Sequence, residues 1–95
     1  MENLKTIDVL FLKFRSTFIK LDDVAKEFYS HLSKEKVLEK ARQQKFPFTC
    51  FRLDESQKGP LFVKIGDLAE ALDEAYLKNY HDFKSAALKA THSTF

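Results

Sequence analysis

The chain has no tryptophan, one cysteine, two glycines and two prolines in 95 residues. Each shortage excludes something. Cys50 alone cannot form an intramolecular disulfide, which predicts a reducing compartment. His31, His81, His92 and Cys50 stand at no metal-ligand spacing such as C-x-x-C or H-x-x-x-H, so no metal site is expected. Gly59 and Gly66 are too few for a Gly-rich phosphate loop. No apolar run approaches the roughly 18 residues that a membrane span needs. Val9-Leu10-Phe11-Leu12 is too short, and wrongly flanked, for a signal-peptide core. Asp22/Asp23 and Asp54/Glu55 are adjacent pairs whose side chains diverge, so neither suits paired acid–base work. These exclusions predict a cytoplasmic protein that is not an enzyme and carries no cofactor. With so few chain breakers, most of it is regular structure joined by tight connections.

What is present points to one globular domain over residues 1–95. The apolar share is 44%, too high for disorder by composition. Ten phenylalanines predict a core built largely on Phe and Leu. The net charge of +2 hides segregation. Residues 33–45 hold Lys34, Lys36, Lys40, Arg42 and Lys45 against Glu35 and Glu39; residues 66–83 hold Asp67, Glu70, Asp73, Glu74 and Asp82 against Lys78. Such a chain presents one face to a polyanion and turns another away, although two solvated helix faces would read the same.

Residues 1–5 are expected to be a loose tail. The Ile, Val, Leu and Phe of residues 7–14 predict a strand, apolar on both faces and so covered twice or paired with another subunit. Arg15-Ser16-Thr17 turns it into a short return strand at Phe18-Ile19-Lys20. A first helix is expected from Asp22 to Ser30, with Leu21, Val24, Ala25, Phe28 and Leu32 facing the core at the 3.6-residue period. A second is expected from Lys34 to Gln44, with Ser33 as its N-cap. The linker His31-Leu32-Ser33 is short enough to force a steep crossing, as in a helix-turn-helix. After Pro47, Phe48–Leu53 and Leu61–Ile65 read as strands about the polar turn Asp54–Pro60. A long helix follows from Asp67 to Ala90, then a tail at 91–95. The class is α+β: a winged helix-turn-helix with an N-terminal strand or hairpin and a long C-terminal helix.

On a helical wheel, Val37, Leu38 and Ala41 cluster on the side to be buried. Ser33, Lys36, Lys40 and Gln43 form a second stripe with Gln44 at its edge; Glu35, Glu39 and Arg42 lie on a third side. Lys meets phosphate or guanine acceptors, Gln bonds adenine, and Ser reaches either. A solvated Lys/Gln face is the plain alternative. Residues 33–45 are the expected recognition segment for the major groove, and 52–62 the wing on the backbone. Lys34, Lys45, Arg52 and Lys58 are assigned to phosphate, and Ser56 and Gln57 to phosphate oxygens. Leu68, Leu72, Tyr76, Phe83 and Ala87 form a stripe longer than one small domain covers; its distal half, over 76–90, predicts a homodimer, the plain alternative being that it folds back over the sheet.

At these residues the chain resembles the pyocin activator protein family, small phage- and bacteriocin-associated transcriptional activators. The resemblance runs from about Ile7 to Leu72. It rests on Ser30-His31-Leu32-Ser33 with Lys36 behind it, Arg52 followed by Ser56-Gln57-Lys58, and Asp67-Leu68-Ala69 with Leu72-Asp73 one turn on. It departs in carrying Pro60, Leu61 and Phe62 where such proteins carry a basic residue. The resemblance implies sequence-specific binding to promoter or operator DNA and activation of phage-tail-like bacteriocin or prophage genes. It also implies a bacterial, nucleoid-associated protein, with RNA polymerase as a candidate partner. An excisionase-like architectural DNA binder and a phage-encoded module that binds a host protein are the competing readings.

Overall fold

A computed structural model describes residues 4–56 and 58–93, with backbone only for 89–93. Four helices and three strands follow in the order α1 (Thr6–Phe14), β1 (Phe18–Lys20), α2 (Leu21–Phe28), α3 (Lys34–Arg42), β2 (Cys50–Phe51), β3 (Phe62–Lys64) and α4 (Ile65–Ser93). The class is α+β.

The expected N-terminal strand is a helix. Leu10 is buried and Phe14 packs half-buried against the core, an i, i+4 pair that alternation alone does not reveal. The start is fixed locally: the Asp8 carboxylate accepts the Lys5 backbone N–H at 3.0 Å, the return half of a capping box. The end is fixed by Arg15, left-handed at φ 59°, whose N–H reaches the Phe11 carbonyl at 2.7 Å. Lys5 is therefore the helix cap rather than loose tail, while residues 1–3 lie outside the described residues. The Thr6 hydroxyl donates to the Asp73 carboxylate, tying α1 to α4.

Phe18–Lys20 is a strand, but its partner is β3 rather than 7–14. The sheet order is β1-β3-β2, antiparallel throughout, with Ile19 and Cys50 both opposite Val63. That row faces the core. The other face carries Phe18, Phe51 and Phe62, with Phe18 edge-on to Phe51 at 5.8 Å. The core is more aliphatic than expected. Val24, Val63 and Leu68 are its largest fully buried side chains, and among the described phenylalanines only Phe46 and Phe48 are buried.

The long helix begins at Ile65, not Asp67, and persists to Ser93; this overturns most of the tail expected at 91–95, and residues 94–95 lie outside the described residues. Its first turns carry buried Leu68, Ala69 and Ala71; from Asp73 to Leu88 every residue is exposed. The radius of gyration, 17.1 Å, exceeds the roughly 12–13 Å of a compact domain this size. The excess is this projecting helix.

Candidate nucleic-acid interface

α2 and α3 are joined by residues 29–33. Ser33 caps α3 by accepting the Lys36 N–H on its Oγ at 3.2 Å. That cap saturates one helix N–H and occupies the serine. The helix is shorter than expected. α3 stops at Arg42 because Gln43 forms the C-cap and Gln44 turns left-handed at φ 53°. Gln44 and Lys45 thus leave the helical stripe.

Burial orients α3. Val37 and Ala41 face the core as expected, but Leu38 stays 37% exposed, a correction to its assigned burial. Leu38 lines a groove of about 570 Å³ with Lys20, Lys34, Arg52 and Lys58. Among the described residues only one carboxylate, Asp22, shares that groove, and it already pairs with Lys26 at 3.6 Å. Four cations here outweigh it, and the groove is polyanion-attracting.

The loop between β2 and β3 is shaped by its own polar groups. Asp54 accepts the Ser56 N–H at 2.9 Å, Ser56 Oγ accepts the Lys58 N–H at 3.3 Å, and Arg52 Nε donates to the Gly59 carbonyl at 3.3 Å. Asp54 is thereby turned into the loop backbone (an Asx-type turn) rather than presented outward. Gln57 lies outside the described residues.

The other flank of α3 behaves differently. Lys40 Nζ sits 5.1 Å from the Phe46 ring centre and 5.5 Å from that of Tyr29, a cation–π seat that holds it against the protein. Lys36 is exposed and lies 4.0 Å from Glu39. The stripe Ser33, Lys36, Lys40 and Gln43 is therefore not one free reading surface. Lys34, Arg52 and Lys58 do converge. Lys20 and Leu38 join them although the sequence assigns neither to DNA; only the register of β1 against β3 brings Lys20 there.

A second groove, about 530 Å³, opens between the segment after α3 and the first turns of α4. Asp67, Glu70 and Glu74 form one wall, and Phe46, Phe48 and Cys50 line it, with no Lys or Arg. Phe46 and Phe48 are buried and stack on each other at 5.1 Å and 10°, so these rings fill the core rather than offer a face to a nucleobase. Burial pushes the Cys50 thiol up to about 11, so it is neutral near pH 7 and unlike the activated thiols of reactive sites. Burial, and then proximity to Cys50, also raises Tyr29. His31 is exposed beside Tyr29, with ring centres 6.3 Å apart.

Among the described residues no helix is long and apolar enough to cross a membrane. The family model described as "Pyocin activator protein PrtN" matches residues 6–78. No curated protein and no solved structure matches.

Proposed function

The chain belongs to the pyocin activator protein family, and from that premise we propose that it is a sequence-specific DNA-binding activator of phage-tail-like bacteriocin or prophage genes. α2, α3 and the β2–β3 loop act as a winged helix-turn-helix. The observation that carries this reading is the groove between α3 and the loop, where Lys20, Lys34, Arg52 and Lys58 surround exposed Leu38. α3 enters the major groove. Lys34 and Leu38 lead on its loop side, Leu38 offering an apolar surface to a thymine methyl. Lys20, Arg52 and Lys58 hold phosphates beside it. Lys36, Gln43 and Lys45 remain exposed and contribute from the other edge. The acidic groove points away from the duplex, because uncompensated carboxylates repel phosphate. Two copies acting together suit a palindromic or repeated operator.

The test is salt-titrated binding to promoter-region duplex against bulk DNA. Specific binding gives affinity falling steeply with salt and a preference of roughly a thousandfold or more for the true site. Indifference to duplex DNA at low salt ends the proposal. A DNA-bending assay on the same complex separates an activator from an excisionase-like architectural role.

A further inference from the structure

α4 carries an uncovered aromatic surface. Tyr76, Tyr80 and Phe83 follow at spacings of four and three, a heptad-like seam. They are 66%, 43% and 70% exposed. Tyr76 and Tyr80 are already ordered against each other, with ring centres 6.1 Å apart and 24° between planes. Nearer the domain the same side of the helix is covered: Gly66 lies under Ile7 and Asp73 bonds Thr6, so α1 occupies it as far as Asp73. The uncovered seam starts where α1 stops.

We infer that this seam is the interface with a second copy of the chain, α4 pairing antiparallel with its counterpart, and that the two-fold axis passes between residues 81 and 82. This deepens the dimer named above and rests on that reading for its stoichiometry alone.

Three observations select this occupant and direction. The first is size. With roughly 200 Å² per aromatic side chain, the three rings expose about 350 Å² per protomer at the fractions given. Leu77 and Lys84 flank the seam and Ala87 continues it, all three exposed. With their surface added, two copies bury on the order of 1,000 Å², the threshold for a specific interface. The second is steric. In a parallel pair both α1 helices would lie between two α4 helices that must approach to about 8–10 Å; in the antiparallel pair the stretches from Glu74 to residue 89, which α1 leaves uncovered, meet along their length. The third is charge. Asp67, Glu70, Asp73 and Glu74 crowd the start of α4 with no cation from Ile65 to Leu77. A parallel pair would bring the two clusters side by side, whereas the antiparallel pair holds them tens of ångströms apart. Antiparallel heptad packing then sets Tyr80 against Phe83 of the partner subunit.

Sedimentation equilibrium of the full chain without DNA should show a dimer. Tyr80→Glu combined with Phe83→Glu should weaken it at least about a hundredfold. Its circular dichroism melt should match that of the parent diluted until the parent is a monomer, because neither ring belongs to the buried core. The direction is read on the unperturbed seam. With Cys50→Ala and a nitroxide on Glu70→Cys, the antiparallel pair puts the labels about 35 Å apart, against roughly 10 Å for a parallel one. A monomer at 100 µM or above, an undiminished dimer in the double variant, or the short distance would each overturn the inference. Because no arm uses DNA, a dimer that ignores duplex would sink the DNA reading while leaving this one standing, and a DNA-binding monomer would do the reverse.

Discussion

The grouping of Lys20, Lys34 and Lys58 around one groove makes a quantitative prediction that the helical stripe alone does not. All three are exposed, and none has an ion pair among the described residues, so changing them together to alanine leaves the fold intact. If each neutralises one phosphate, the slope of log K against log salt falls by about 0.9 per residue, or roughly 2.7 in all. Between 50 and 200 mM salt that is about a 40-fold difference in how much affinity is lost. Fluorescence anisotropy on a labelled operator duplex at five or six salt concentrations measures it. Lys40→Ala is the internal comparison. Its ammonium is seated on Tyr29 and Phe46, so its removal should leave the slope within about 0.3 of the parent. The reasoning is refuted if the triple variant keeps the parental slope while Lys36→Ala with Lys40→Ala lowers it by about two.

Other outcomes follow from the packing. Ser33→Ala removes the α3 cap and should cost about 1 kcal/mol, visible as a melting temperature lower by roughly 4–8 °C. Leu68→Ala empties a fully buried site and should cost about 2–5 kcal/mol in urea unfolding; a loss below 1 would mean that the core is not where it is drawn here. Gln44 sits at φ 53°, so Gln44→Val should destabilise by about 1 kcal/mol or more while Gln44→Gly does not. Cys50 has a folded value of about 11 against 9.0 for the free thiol. The unfolded chain ionises first, so stability should fall as pH rises through that window and hold steady below it. Cys50→Ala should flatten that decline in a chemical-denaturation series; an unchanged decline would assign it to other groups.

The helices after residue 20 were legible because their signals are local. Leu21, Val24 and Ala25 keep the helical period, and Ser33 is a cap with a mechanism. Residues 7–14 were misread because Ile, Val, Leu and Phe satisfy strand preference, while the deciding facts are the Lys5–Asp8 bond and the α4 surface waiting for Leu10. Leu38 was misjudged because a wheel gives the direction of a side chain but not the reach of its neighbours. The site divides in the same way. Lys34, Arg52 and Lys58 were visible as charges near a helix start and a turn. Their convergence with Lys20 needs residues 18 and 64 to be paired, and no sequence period encodes that. Lys40 looked free because rings nearly a turn beyond the helix, at Phe46, and before it, at Tyr29, are invisible to a wheel.

The strand order has a consequence for synthesis. β3 is last of the three in the chain and lies in the middle of the sheet, so β1 and β2 have no hydrogen-bonding partner until residues 62–64 have been made. Leu21 and Ile65 complete the ladder ends by bonding Leu61 and Thr17, and Val63 and Leu68 fill the centre of the core. A nascent chain stopped before Phe62 would hold both basic arms of the groove with nothing to bring them together. It would be open to proteases along most of its length. Shape here waits on β3, a three-residue strand that slides between two made before it.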